Sequence, residues 1–331
     1  MDELRKDEKE RDKVSARSRL YFCLMAVTLL YSSIVYLIPH GMKDWGEWGV
    51  YHMKVLACFI AFNCVANFLC LICYDTSIKK IKDRPGLPRH LWEKPPDRFI
   101  PYLYNHSQNS RGVVMQNGST VDQKYERNHM DCKDGLPWSY CDICDIDLPP
   151  RAVHCSTCKK CILKRDHHCY LTGVCVGHYN QRYFAMLGFY TMVSCVWGFC
   201  LTRVYLIANA WDVFSWIDFF PPYSLYRVLS GSLEFHIFIM IHHLWILFLF
   251  GFAGFMYFTC QIILIVLNKT LYEFTKKDRY RSTTSVARNF RSVFGDFWLI
   301  NFIFPAQIIF RQSDDGYHWV GLKMKQSEHI L

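Results

Sequence analysis

The apolar and charged positions divide the chain into four long charge-free stretches set between polar ones. Leu20 to Pro39, Val55 to Tyr74, Tyr183 to Thr202 and Phe235 to Asn268 contain no Asp, Glu, Lys or Arg. A bilayer takes about 20 residues of helix to cross, so each stretch predicts a transmembrane helix. The first is not a cleaved signal peptide: its apolar run is too long, it lacks a small-residue cleavage site, and a second span follows closely. The fourth exceeds what a bilayer needs and is expected to tilt or to continue as helix beyond the lipid. The pattern predicts an all-α polytopic membrane protein. A tail over 1–19 precedes helices 1 and 2 within 20–74, a polar loop fills 75–182, helices 3 and 4 lie within 183–268, and a carboxy-terminal region covers 269–331.

Charge decides which ends face the cytosol. Of 331 residues, 51% are hydrophobic and 20% charged, with a net charge of +9, which excludes a disordered chain and disfavours an ordinary soluble globule. Seven basic residues lie in 1–19, seventeen in 75–182 and ten in 269–331, against two in 41–54 and two in 203–234. By the positive-inside rule both termini and the central loop are cytosolic. The excess charge belongs to membrane topology, and nucleic acid is not an expected partner. The sequons at Asn105 and Asn117 fall in the cytosolic loop and should stay unmodified. Residues 101–130 read as a mobile linker, and Arg84–Pro96, with four prolines, as irregular. No internal repeat stands out. His236, His242 and His243 lie in or beside the fourth span and receive no role, and Ser292–Pro305 reads as an interfacial segment on the cytosolic leaflet.

Of 16 cysteines, seven lie between Cys141 and Cys175. The segment reads Cys141-Asp-Ile-Cys144, His154-Cys155-Ser-Thr-Cys158-Lys-Lys-Cys161, Asp166-His167-His168-Cys169, then Cys175. Two-residue gaps let a pair of thiolates reach one ion from a tight turn, and zinc in structural sites takes four S or N ligands. The cytosol keeps thiols reduced, which favours metal over disulfides. Seven Cys and three His offer ten ligands; two closed sites use eight and leave one Cys and one His. A free cysteine beside a histidine is a nucleophile–base pair, because the thiolate is the reactive form. A third, incomplete metal site is the alternative that counting leaves open.

The run from Cys141 to Phe184, with Asp-His-His-Cys at 166–169 and Cys175-Val-Gly-His-Tyr-Asn180 after it, resembles the DHHC family of protein S-acyltransferases (palmitoyltransferases). The resemblance implies two structural zinc ions, one on Cys141, Cys144, His154 and Cys161, the other on Cys155, Cys158, His168 and Cys175. It leaves Cys169 as the nucleophile, His167 as the base and Asp166 as the residue orienting the imidazole. Weaker echoes are Asp75-Thr76-Ser77 where the family has Asp-Pro-Gly, Thr270-Leu271-Tyr272-Glu273 where it has Thr-Thr-x-Glu, and Asn289 with Phe294-Gly295. Tyr170-Leu171 replaces the family's Pro-Trp, and Leu271 replaces a threonine that helps hold the aspartate.

What the resemblance implies is transfer of a long-chain acyl group from acyl-CoA, palmitoyl-CoA for example, through an acyl-enzyme on Cys169 to juxtamembrane cysteines of membrane-associated proteins. Arg151, Lys159, Lys160, Lys164 and Arg165 are candidates to meet the CoA phosphates, and Tyr183, Phe184, Phe189 and Trp197 to line an acyl cavity. Golgi or endoplasmic reticulum is the expected membrane. A zinc-finger scaffold without catalysis is the rival reading. A transporter is disfavoured because the spans hold no Asp or Glu.

Overall fold

A computed structural model describes residues 2–78, 136, 138–276, 280–296, 298–301, 312 and 314–325. The expected linker over 101–130, the two sequons, the Arg84–Pro96 stretch and residues 302–305 lie outside the described residues. Among them, four helices are long and apolar enough to cross a membrane, over Lys13–Gly41, Lys43–Cys73, Gln181–Ala210 and Phe235–Val266.

The first span is α1 (Asp2–Tyr31), continued by a π-helical stretch, Ser32–Leu37, and one α turn, Ile38–Gly41. Ser32 and Ser33 hydroxyls both donate to the Leu29 carbonyl, at 3.0 and 2.7 Å, the back-bonding that distorts a helix locally. The chain reverses over Met42–Trp45, and α2 (Gly46–Cys73) begins at once. The expected loop over 41–54 is therefore mostly helix. Hydropathy reports only the buried length of a helix, and residues 47–54 form its first polar turns above the bilayer.

Helices α3 (Gln181–Ala210) and α5 (Phe235–Val266) have 30 and 32 residues, about 45–48 Å at 1.5 Å per residue against a hydrocarbon core of about 30 Å. They cross at Gly188 and Gly254. A Cβ on Gly254 would stand 2.8 Å from the Met192 amide nitrogen and 2.9 Å from the Gly188 carbonyl. Such small residues let two backbones meet where lipid offers no hydrophobic drive. Between these helices, α4 (Pro221–Leu229) lies in the connection. Helix α1 packs on α2 through stacked Phe22 and Phe68 rings, 4.1 Å apart.

Between α2 and α3 the chain forms three antiparallel hairpins: β1 (Ser139–Cys141) with β2 (Ile146–Leu148), β3 (Val153–Cys155) with β4 (Lys160–Ile162), and β5 (His167–Cys169) with β6 (Val174–Val176). Residues following α2 add to the second hairpin: Ile78 donates to the Cys161 carbonyl at 2.9 Å, and Leu163 to that of Thr76 at 3.0 Å. Asn180 closes the junction, its side-chain amide donating to the Tyr74 and Cys175 carbonyls at 3.1 and 2.9 Å. After α5 come α6 (Leu271–Thr275), β7 (Tyr280–Ser282), α7 (Val286–Phe294) and β8 (Leu322–Met324), which pairs with β7. Asn289 holds α7 to the end of α5, donating to the Val266 carbonyl at 2.9 Å. Ser292, Val293 and Phe294 are buried, so the expected interfacial segment begins inside the protein; Leu299 and Ile300 are exposed.

Replacing Gly254 with valine should push α3 and α5 apart and destabilise the detergent-solubilised protein by about 1–3 kcal/mol, the usual cost of overpacking. Thermal unfolding followed by intrinsic fluorescence measures it, and an unchanged midpoint would mean that the helices do not touch there.

Candidate active site and metal centres

The three hairpins repeat one plan at an interval of fourteen residues. Cys141, Cys155 and Cys169 each end the first strand of a hairpin. Asp145, Lys159 and Gly173 take the same place in each turn, with φ of 54°, 53° and 66°. His154 pairs with Cys161 across one hairpin and His168 with Cys175 across the next. This repeat does not stand out in the sequence, because only the ligand positions recur, in units too short for a self-comparison.

This plan assembles two tetrads, each spanning consecutive hairpins. Cys141 and Cys144 of the first hairpin meet His154 and Cys161 of the second; Cys155 and Cys158 of the second meet His168 and Cys175 of the third. Within each tetrad the ligand atoms lie within 4.8 Å of one another. His154 Nδ1 stands 3.6, 3.4 and 3.7 Å from the sulfurs of Cys141, Cys144 and Cys161. His168 Nδ1 stands 3.9, 3.2 and 3.7 Å from those of Cys155, Cys158 and Cys175. A tetrahedral ion about 2.3 Å from sulfur and 2.0 Å from nitrogen requires edges of about 3.5–3.8 Å. The donor sets therefore fit zinc.

The third hairpin breaks the pattern where a further site would begin. Three residues after Cys169 stands Thr172, not cysteine, and α3 follows in place of a fourth hairpin. Cys169 thus keeps the position of a metal-binding cysteine but belongs to neither tetrad. Burial raises its thiol, yet His167 and Thr172 outweigh burial and hold it below the ordinary thiol range.

His167 Nδ1 lies 2.8 Å from Asp166 Oδ2. Burial disfavours its cation, but Asp166 and Cys169 push it up to about 9. Asp166 is wholly buried, and burial alone would raise its carboxyl; the hydrogen bonds it accepts keep it below the ordinary carboxylate range. Gln261 Nε2 donates to Oδ2 at 2.8 Å and the Leu271 amide to Oδ1 at 2.6 Å. Gln181 Nε2 in turn donates to Gln261 Oε1 at 3.1 Å. The replacement of threonine at 271 therefore leaves a main-chain donor on the aspartate. Gln261 escaped the sequence reading, although an amide inside an otherwise apolar span was its signal.

Two members of the expected basic patch are withdrawn from solution. Arg151 is buried in a bidentate pair with Glu273, at 2.6 and 2.8 Å, also bonds Asn268, and lies over the Trp319 ring. Lys164 is buried beside the same ring, and burial together with Arg151 pulls its ammonium down to about 7. Their charges serve the packing of the hairpins on the carboxy-terminal elements and do not form a phosphate-binding surface. Lys159 is exposed, Lys160 is half-exposed 3.7 Å from Asp75, and Arg165 lies partly buried over Tyr272. Tyr170 and Leu171 protrude from the third hairpin, 72% and 43% exposed. The same turn is held from α1: Arg19 Nε donates to the Thr172 carbonyl at 2.8 Å, and a Cβ on Gly173 would collide with Ser15. Of the unassigned histidines, His236 pairs with Glu234 and His243 with Thr202, while His242 bonds its own helix.

A narrow apolar groove opens between α1, α2 and α3, lined by Phe22, Met25, Leu29, Ile60, Cys64 and Trp197 among others. Phe22, Ile60 and Cys64 belong to the same apolar cluster as Cys169, with Tyr183 and Phe184.

Residues 136–278 match the family model described as DHHC palmitoyltransferase. The chain is 27% identical over 241 residues to palmitoyltransferase PFA3 of Debaryomyces hansenii, covering 56% of this chain and 60% of that protein. It is 30% identical over 184 residues to palmitoyltransferase ZDHHC22 of Danio rerio, covering 50% and 65%. Over 53 residues it is 55% identical to probable palmitoyltransferase ZDHHC24 of Mus musculus, covering 16% and 19%. The chain thus spans less than two thirds of the length of these relatives.

Mass spectrometry or atomic absorption of the purified protein should find two metal ions per chain. Cys169→Ser should keep both, whereas Cys155→Ser should lose the second; loss of metal from the Cys169 variant would place that sulfur among the ligands.

Proposed function

We propose that this chain, whose residues 136–278 match the DHHC palmitoyltransferase family model, is a protein S-acyltransferase that carries a long-chain acyl group on Cys169. The carrying observation is that Cys169 has a cysteine's place in a metal-binding hairpin but stands outside both tetrads, against a histidine locked to a buried aspartate.

In the first step His167 accepts the Cys169 proton, and the sulfur attacks the thioester carbonyl of an acyl-CoA. The carbon–sulfur bond to CoA breaks, and CoA leaves as the thiol once it has taken up the proton. In the second step the thiolate of a protein cysteine attacks the acyl-enzyme, and Cys169 leaves and is reprotonated. One thioester replaces another at each stage, so the exchange is nearly isoenergetic; positioning and thiolate formation are what the protein must supply. Asp166, held by Gln261 and the Leu271 amide, fixes the tautomer and plane of His167. Two zinc ions on the tetrads would brace the hairpins without touching the reacting atoms.

Lipid or an apolar groove holds the tail of the acyl-CoA. Each buried methylene is worth about 0.8 kcal/mol, so a long chain stays in lipid or in an apolar groove, and the groove between α1, α2 and α3 shares an apolar cluster with Cys169. Lys159, Lys160 and Arg165 remain to meet the CoA phosphates. The charge distribution supports cytosolic termini and hairpins. Acceptors would be juxtamembrane cysteines of membrane-associated proteins, in an internal membrane such as Golgi or endoplasmic reticulum.

The test is to give purified protein a labelled long-chain acyl-CoA. Hydroxylamine-sensitive label should appear and should vanish in Cys169→Ser. Label surviving that substitution would move the site, and an unlabelled wild type would favour a zinc-finger scaffold. Asp166→Asn should slow labelling on the order of 10²–10⁴-fold, as when a base loses its orienting carboxylate. Gln261→Leu removes one of the donors to that carboxylate and should slow labelling about tenfold, corresponding to roughly 1–2 kcal/mol, with the metal content unchanged.

A further inference from the structure

We propose that residues 211–229, in the connection from α3 to α5, lie within the membrane interface of the leaflet opposite the hairpins, with α4 in the plane of the bilayer. Their partner is the boundary between lipid headgroups and acyl chains.

The segment is polarised the wrong way round for water. Its acidic partner is inside: Asp218 is fully buried, 2.6 Å from Nη1 of the partly buried Arg227, and also accepts from the Ser215 amide. Arg227 spends its other amino group on the Val213 and Ser232 carbonyls. Its large apolar side chains are outside, with Trp216 84%, Ile217 60%, Phe220 62%, Tyr226 65% and Leu229 79% exposed. A soluble surface keeps its charges out and rarely gathers so many apolar groups in one patch. The two acidic residues left exposed, Asp212 and Glu234, stand at the outer ends of the connection, next to α3 and α5.

The segment also folds back to the height where a bilayer should end. Trp245 Nε1 donates to the Phe219 carbonyl at 2.9 Å, and Trp245 is ten residues into α5, about 15 Å down the helix from Phe235. From Trp245 to Val266 the helix is about 32 Å long, the thickness of the hydrocarbon core. Trp245 therefore marks the far boundary, and Trp216–Phe219 lies beside it, where tryptophan and tyrosine collect in membrane proteins. From there the exposed aromatic surface continues down α5: the Trp245 and Phe248 rings are 6.3 Å apart, and those of Phe248 and Phe252 are 6.4 Å apart. That continuity with the lipid-facing side of α5 selects lipid as the occupant.

The full-length protein should be placed in phosphatidylcholine nanodiscs containing a phosphatidylcholine with a diazirine near the top of its acyl chain, irradiated, and mapped by mass spectrometry. Adducts are expected on Trp216–Leu229 as well as on Phe248 and Phe252. A Trp216→Ser, Phe220→Ser, Leu229→Ser variant with wild-type metal content should lose the adducts on the connection and keep those on α5. Adducts on α5 with none on 216–229 would overturn the proposal. So would crosslinks from 216–229 to a second copy of the chain in place of lipid.

Discussion

One buried carboxylate joins the two halves of this protein. Asp166 has no contact with water, and an ionised carboxylate in such a place is tolerable only when its oxygens are hydrogen-bonded. Its partners come from three regions: His167 beside it, Gln261 from inside α5, and the Leu271 amide just beyond that helix. Docking of the hairpins on the bundle and alignment of the imidazole are therefore one event. If the hairpins tilted away from α5, the aspartate would lose two donors at once. A second link, from Arg151 to Glu273 and Asn268, constrains the same junction, so the cysteine-rich region is not a free module on a tether.

The hairpins also solve a problem of selectivity among thiols. Seven cysteines lie within thirty-five residues, and a structure with one reactive thiol must quiet the others. Zinc on the two tetrads would do this, because a sulfur bound to the ion would be neither free to attack nor free to oxidise. The device leaves out Cys169 by the smallest of changes: the third repeat has Thr172 where its predecessors have Cys144 and Cys158, and no hairpin follows to complete a site. The position keeps what makes a knuckle cysteine acidic, a tight turn with amides near the sulfur, and His167 stands in for the ion.

Much of this was legible in the sequence, for identifiable reasons. The spans were readable because a bilayer demands about 20 apolar residues in one run. The metal tetrads were readable because coordination demands fixed donors at short spacing, while the choice between His167 and His168 needed either the resemblance or the hairpin register. What could not be read depended on contacts between distant segments. Arg151 and Lys164 look like surface charge until Glu273 and Trp319, more than a hundred residues away, close over them. Leu271 looks like a lost hydrogen-bond donor because a one-letter code displays side chains, whereas here the main chain donates. The helix over 46–54 was hidden because its polarity is that of water, although its backbone continues the span.

The same limit explains the connection between α3 and α5. Residues 211–229 mix charge and aromatic groups in proportions that suit an ordinary exposed loop, and only folding sorts them, with Asp218 buried against a half-buried Arg227 and Trp216, Phe220 and Leu229 outward. Pairing the two charges beneath an apolar cover lowers the cost of bringing them to a lipid boundary, since neither meets the low-dielectric region alone. The hairpin end of the bundle faces a different demand under the proposed acyl transfer: there Tyr170 and Leu171 protrude beside Cys169, and a reaction between a lipid-borne acyl chain and a protein thiol would have to be carried out where both can arrive. A bundle seated by its far end on one interface, as proposed, and presenting a thiol at the other would have its depth in the membrane set from both sides. Depth would matter most to the proposed chemistry, because a displacement of one helical turn, about 5.4 Å, would carry a sulfur placed at the acyl–headgroup boundary into water or into lipid.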